Sequence, residues 1–282
     1  MFSVVIPSFC HARYLAEGIL SALTSRDVTE VLIVDDGSTD GSQELIGQLV
    51  RSHAGRLREV GTGGDQNLGA ARRLDELVIH ARSEWIAVLN SDDLFAPGRF
   101  ELLRQRCTRG IRFVSGHLLI IDSESHHLGT KRGVLEPEYP FPASLDAKRL
   151  VEAGEVLPLL ASQNFVATTS NMVFRRELHA EIGGFRDYRY VHDWDFALRA
   201  AAGGGFLYLP HYLSLYRKHG SNTISENAAL VVAEVRAMIR SVLHDLPALR
   251  TDAAFVAGLR GNRYLGAEWL EAEGLGEARG CA

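Results

Sequence analysis

The segment Val88-Leu89-Asn90-Ser91-Asp92-Asp93 stops an apolar run, Trp85 to Leu89, at two adjacent carboxylates. Like charges that close repel unless water, a cation or a helix end screens them. One reading is an Asp-rich turn that caps the next helix. The other is a cation site. Polar groups stand at similar chain breaks elsewhere. Pro7-Ser8-Phe9 follows the apolar run Phe2 to Ile6, and Asp35-Asp36 follows Glu30 to Val34. Asp193 opens a helical pattern in Val191-His-Asp-Trp-Asp195, and Arg72 stands in Gly69-Ala-Ala-Arg-Arg73. His219 lies in the polar stretch Tyr216 to Thr223. Such groups can ligate a cation, meet an anion or accept a proton.

The elements that must hold these groups alternate. Strand-like runs at Phe2–Ile6, Glu30–Val34, Leu57–Val60 and Trp85–Leu89 are separated by helical spacings. The spacings are Leu15, Ile19, Ala22, Leu23; then Leu45, Ile46, Leu49; then Leu68, Ala71, Leu74, Leu77, Val78. Repeated βα units with apolar strands predict a mainly parallel sheet covered by helices on both faces. Ligands of such sheets bind beyond the carboxyl ends of the strands. Three of those ends carry Pro7-Ser8-Phe9, Asp35-Asp36 and Asp92-Asp93.

The second part is less regular. Ile111–Ile121 reads as a strand paired through a turn with the residues after Ser125, and Glu136–Pro142 as an extended loop. Asn171–Phe174 and Phe206–Leu209 read as strands, with a helix from Asp193 to Ala202 between them. From Glu226 two helices are expected. One carries Val231, Val235, Met238, Ile239, Val242 and Leu246, the other Phe255, Leu259, Leu265 and Trp269.

Bulk properties exclude several classes. The 282 residues are 46% hydrophobic and 23% charged, enough for one large domain or two small ones. A net charge of −5 implies no nucleic-acid partner. Cys10, Cys107 and Cys281 show no zinc or redox spacing. No basic leader precedes the first strand, and no apolar segment reaches the ~20 residues that span a bilayer. A soluble protein of a reducing compartment is the expectation. Gly61-Thr-Gly-Gly-Asp-Gln66 mimics a dinucleotide loop, but Gln66 stands where the third glycine is needed. The first βα turn has no glycine fingerprint either, which argues against hydride transfer. Pro7–Arg13 offers no glycine-rich loop with a lysine, which argues against a sugar nucleotidyltransferase.

Read in order, "VVIPSF", "VLIVDDGSTDGS", "NLGAARR", "WIAVLNSDD", "EIGGFRDYRYVHDWDFALRA" and "YRKHGSNT" resemble a family 2 glycosyltransferase of the GT-A fold, over roughly residues 2–225. The resemblance implies a Rossmann-like α/β catalytic domain over 1–225, with a nucleotide-sugar half to about 110 and an acceptor half over 111–225. A helical appendage would follow at 226–282. It implies inverting, metal-assisted transfer of a sugar from a nucleotide diphosphate, with UDP-sugar the favoured donor. A GDP- or dTDP-sugar is the alternative, and a nucleotide-binding protein without turnover the non-enzyme rival.

Under this resemblance Pro7, Ser8 and Phe9 border the base, Phe9 stacking on the ring or else packing in the core. Asp36 accepts the uracil N–H or else makes a turn with Gly37-Ser38, while Asp40 caps the next helix. Arg72 approaches base or phosphate, or is a solvated helix arginine. The family's D-x-D motif appears as Ser91-Asp92-Asp93, with Asn90 a departure from the commonest pattern. Asp93 is then the ligand of Mn²⁺ or Mg²⁺, and Asp92 touches ribose or a metal-bound water. His219 is a further metal ligand or phosphate contact, or an exposed loop residue; imidazole suits Mn²⁺ less well than carboxylate but is compatible. Asp193 matches the general base and can also cap its helix. Thr168–Asn171 and Gly183–Phe185 line the acceptor cleft.

The C-terminal helices are mixed to acidic in charge, which favours packing on the domain or a homodimer over membrane adsorption. The expected location is cytoplasmic, at most peripheral to the inner membrane face. The acceptor stays open among a lipid-linked glycan, a polysaccharide end, a protein and a small molecule.

Overall fold

The computed structural model describes residues 1–61, 67–220 and 228–276. Residues 62–66 of the glycine-bearing loop, the end of the polar stretch after Gly220, and Cys281 lie outside them. The first half runs β1 (Phe2–Ser8), α1 (Ala12–Leu23), β2 (Val28–Asp35), α2 (Ser42–Ser52), β3 (Leu57–Glu59), α3 (Ala70–His80) and β4 (Trp85–Val88). Side chains alternate across the pleat. Val4, Ile6, Val31 and Ile33 share one apolar cluster with Leu15, Ile19 and Ile46 of α1 and α2. Val5, Leu32, Val34, Ile86 and Val88 share the other with Leu74, Leu77 and Val78 of α3. Both faces are dry, which is why these strands read as unbroken apolar runs.

The second half comprises β5 (Leu94–Phe95), α4 (Arg99–Arg106), β6 (Phe113–Ile121), β7 (His127–Lys131), α5 (Ala147–Ala153), α6 (Leu157–Ser162), β8 (Val173–Arg175), α7 (Arg176–Glu181), α8 (His192–Ala202) and β9 (Phe206–Arg217). The sheet order is β3-β2-β1-β4-β8-β6-β9-β5, with β7 on β6. The strands β1 to β4 pair in parallel, as do β6 and β9, and β8 is the antiparallel join between the halves. Most paired residues lie in the parallel ladders. β9 is far longer than its apolar start suggests. Its register on β6 jumps from Gly116↔Leu209 to His117↔Tyr212, so Pro210 and His211 bulge out. Gly116 permits this, since a Cβ there would lie 2.8 Å from the carbonyl oxygens of Leu209 and His211. The bulge lets β9 continue to Arg217, beneath the acidic turn.

Three further helices follow, α9 (Ala228–Asp245), α10 (Ala253–Arg260) and α11 (Ala267–Ala272). The helix expected over Phe255–Trp269 is broken by Gly261-Asn262 and Gly266. Val235, Met238, Ile239 and Val242 of α9 and Phe255 and Leu259 of α10 are buried in the same cluster as α6 and α8. Each such side chain stabilises the fold by roughly 1.5–3 kcal/mol relative to exposure. The expected packing of these helices on the domain is present.

Candidate active site

The site stands where three parallel strands end. Ser8 is in register with Asp35 and Val5 with Val88, and the Leu89 N–H reaches the Val5 carbonyl at 3.0 Å. The chain therefore leaves β1, β2 and β4 at one edge. Asp35 is used locally, accepting the N–H (2.8 Å) and hydroxyl (2.6 Å) of Ser38. Asp40 accepts from Ser42 N–H (3.1 Å) and Ala12 N–H (2.9 Å), so one carboxylate holds the starts of both α2 and α1. Pro7 and Ser8 are buried, and Phe9 is 45% exposed at the edge, outside the core.

The Asp36 carboxylate is buried and well supplied with donors. Leu68 N–H and Gly69 N–H donate to it at 2.8 Å each, and Arg73 Nε at 2.7 Å. Among the described residues, three of about four acceptor positions are thus filled. The arginine beside Asp36 is Arg73. Arg72, the residue expected near base or phosphate, pairs instead with Asp187 at 2.7 Å, and both are about 60% exposed.

The two aspartates of the acidic turn are both buried but have different partners. Asp93 is fully buried; Ser170 Oγ (2.6 Å) and Asn90 Nδ2 (3.4 Å) donate to one oxygen and Arg217 N–H (2.8 Å) to the other. Burial, reinforced by the charge of Asp92, pushes its carboxyl well above the ordinary range against the pull of those bonds. The segment Thr168–Ser170 braces the turn. Thr168 Oγ1 accepts from Asn90 Nδ2 at 3.0 Å, Thr169 Oγ1 donates to Asn90 Oδ1 at 2.6 Å, and Ser170 Oγ accepts from Asn90 N–H at 2.9 Å. Asn90, the departure from the acidic motif, is a bracing residue here. Asp92 has another partner, its Oδ2 lying 2.9 Å from His219 Nε2. One ligand atom each from His11, Asp92 and His219 lies within 4.8 Å of the others. Burial, opposed by Asp92 and aided by His219, holds the His11 imidazole below its usual value. The expected assignment of the cation to Asp93 is thus at odds with the geometry. The inward turn of Asp93 commits it to the core, and the carboxylate beside imidazole nitrogens is Asp92.

Asp193 lies in the first turn of α8, nearly buried, with Oδ1 accepting the Trp194 N–H at 2.7 Å. Asn164 Nδ2 donates to Oδ2 at 3.1 Å, and Asn164 Oδ1 is held by the Ala167 N–H at 3.1 Å. The N-cap position itself is Val191, without a side-chain cap. Tyr216 lies near the end of β9. Burial first, then the charges of Asp93, Asp92 and Asp193, push it above the usual tyrosine value. Gly183–Phe185 belongs to packing: Phe185 N–H donates to Asp75 at 2.8 Å and its ring stacks on Phe196 at 4.2 Å.

His11, Arg73, Asn164 and Tyr216 were not singled out by motif. His11 alone had a positional signal, four residues past Pro7 at the strand edge that carries the other groups.

The architecture is that of GT-A-type glycosyltransferases. S. aureus TarS 1–349 in complex with UDP-GlcNAc superposes with a TM-score of 0.62 at 16% identity, over 96% of this chain and 79% of that one. Mannosyltransferase PcManGT from Pyrobaculum calidifontis, in complex with GDP-Man and Mn²⁺, gives 0.57 at 18% identity, over 92% and 73%. The chain belongs to glycosyltransferase family 2, whose sequence profile, described as "Glycosyl transferase family 2", matches residues 3–183. An uncharacterized glycosyltransferase of Nostoc sp. is 29% identical over 231 residues, 78% of this chain and 65% of that protein. Succinoglycan biosynthesis protein ExoU of Rhizobium meliloti is 31% identical over 150 residues, 53% and 42%. The chain thus spans between 42% and 65% of these two relatives' length.

Proposed function

We propose that this chain transfers a sugar from a UDP-sugar to a hydroxyl of a glycan acceptor, with inversion, assisted by a divalent cation. The observation that carries the reading is the contact of Asp92 with His219, 2.9 Å, at the edge where β1, β2 and β4 end. Family membership supports the reaction class, the UDP-GlcNAc and GDP-Man complexes of the structural neighbours support a nucleotide-sugar donor, and the similarity to a succinoglycan biosynthesis protein supports a glycan acceptor. No described helix is long and apolar enough to cross a membrane. We place the enzyme in the cytoplasm, free or peripheral at the inner membrane face.

In this reading Pro7 and Ser8 border the base and the exposed ring of Phe9 stacks on it. The Asp36 carboxylate takes the uracil N–H. Asp92 and His219 hold the cation, Mn²⁺ or Mg²⁺; a carboxylate and an imidazole in contact are a donor pair that fits one. When bound, the cation supplies positive charge to the diphosphate and to the departing nucleoside diphosphate. Arg72, at the rim with Asp187, reaches the donor only by leaving that surface pair. Asp193 accepts the acceptor's proton on Oδ2 as the hydroxyl oxygen bonds to the anomeric carbon and the bond to the diphosphate breaks. Asn164 holds that carboxylate in place.

Thermal shift with UDP, GDP and dTDP in the presence of Mn²⁺ tests the donor, because a ligand selective for the native state raises apparent stability by mass action. UDP should raise the melting temperature most. A larger rise with GDP or dTDP moves the proposal to that donor, and no rise with any of them removes nucleotide-sugar binding.

A further inference from the structure

We propose that His11 is a third protein ligand of the cation, so that the set His11–Asp92–His219 selects Mn²⁺ over Mg²⁺. This rests on the reading of Asp92 and His219 as cation ligands, and extends it to a residue at the opposite wall of the site and to the identity of the ion.

Three observations carry it. The first is distance. Donors facing each other across an ion with bonds of roughly 2.1 Å stand about 4.2 Å apart. The three ligand atoms already lie within 4.8 Å of one another, so a movement of a few tenths of an ångström closes the set. The second is orientation. Tyr14 N–H and Leu15 N–H hold the His11 carbonyl at 2.9 and 3.0 Å, pinning its backbone at the start of α1. Its Nδ1 lies 2.8 Å from Ser91 Oγ, on the same turn as Asp92. A histidine that ligates a metal has its second ring nitrogen fixed by a hydrogen-bond partner. With Nδ1–H donating to Ser91, Nε2 carries the lone pair. The third is the approach of the rings. His11 and His219 meet edge to face, centroids 5.4 Å apart at 86°, with Tyr14 packed beside both. Packing of this kind sets two imidazoles beside one carboxylate.

The selectivity follows from the donors. Mg²⁺ takes oxygen ligands in a near-ideal octahedron and gives up water reluctantly. Imidazole suits Mn²⁺ less well than carboxylate but is compatible with it, whereas Mg²⁺ keeps to oxygen donors. With one carboxylate and one imidazole the discrimination is weak. A second imidazole makes nitrogen the majority donor and disfavours Mg²⁺.

The test uses the full chain and the ion alone. Free Mn²⁺ is followed by electron paramagnetic resonance during titration, and Mg²⁺ by competition. His11→Ala and His219→Ala should each weaken Mn²⁺ binding by about 10-fold or more, at least the loss that follows removal of an outer partner of a ligand. Mg²⁺ affinity should change much less in His11→Ala. Pulsed resonance of Mn²⁺ on wild-type chain carrying ¹⁵N-histidine should show couplings from two imidazoles, which needs no variant to fold. One imidazole coupling, or wild-type Mn²⁺ affinity in folded His11→Ala, overturns the role of His11 while leaving Asp92 and His219 in place. Mg²⁺ bound as tightly as Mn²⁺ overturns the selectivity. Mn²⁺ affinity unmoved by Asp92→Asn and His219→Ala as well removes the cation site altogether.

Discussion

Asp92 and Asp93 are neighbours in sequence with opposite environments, and replacing each by Asn separates folding from cation binding. At 93, the main-chain N–H of Arg217 cannot turn away, so the amide oxygen of Asn must stay where Oδ1 is now. The amide NH₂ then faces Ser170 Oγ and Asn90 Nδ2, which both donate to Asp93 today at 2.6 and 3.4 Å. Ser170 Oγ is already an acceptor for the Asn90 N–H. The hydroxyl proton loses its buried partner, a cost of about 1–3 kcal/mol that removal of a desolvated charge partly offsets. At roughly 2–4 °C per kcal/mol for a chain of this size, Asp93→Asn should melt about 2–12 °C below wild type without metal. At 92, the side-chain hydrogen bond among the described residues is the one to His219, so Asp92→Asn should melt within about 2 °C of wild type. Its Mn²⁺ affinity should fall by at least ~10-fold. Differential scanning calorimetry and Mn²⁺ resonance read the two quantities independently. A fully stable Asp93→Asn that no longer binds Mn²⁺, beside an Asp92→Asn that binds it normally, would return the cation to Asp93 and refute the inward assignment.

Asp193→Asn should fold and bind UDP with Mn²⁺ as wild type does, yet lose transfer by roughly 10²–10⁴-fold; a melting-point drop with the per-molecule rate intact would make Asp193 a structural residue. Arg73→Ala should cost on the order of 3–5 kcal/mol, since it strips a buried carboxylate of its cation, while Arg72→Ala should cost less than ~1 kcal/mol; denaturant titration ranks them, and the reverse order would undo the assignment of Arg73 to Asp36. A Cβ at Gly258 would lie 2.1 Å from the Pro158 carbonyl oxygen, so Gly258→Ala should destabilise by about 1–3 kcal/mol, and a neutral effect would mean that α10 does not press on α6.

Local pattern determined the first half of the fold. Strands buried on both faces and helices with one apolar stripe leave unmistakable periodicities, so β1 to β4 and α1 to α3 lie close to where the residues put them, and with them the edge carrying Phe9, Asp36 and Asp92. The short helices α5 and α6 escaped because six or seven residues carry too little periodicity, and the second C-terminal helix broke at glycines that its apolar spacing hides. The motif order also placed the chain in its family. Which of two adjacent aspartates faces the cleft was not legible, because sequence specifies the carboxylates and not the torsions of the turn. That was decided by long-range bonds, from Ser170, 77 residues away, and from the Arg217 N–H, 124 residues away. Choosing Arg73 over Arg72 depended likewise on where α3 meets β2. Bringing His11 to His219 required β1 to run beside β4 and β9 to run on to Arg217, since groups far apart in sequence meet only through the sheet that carries them.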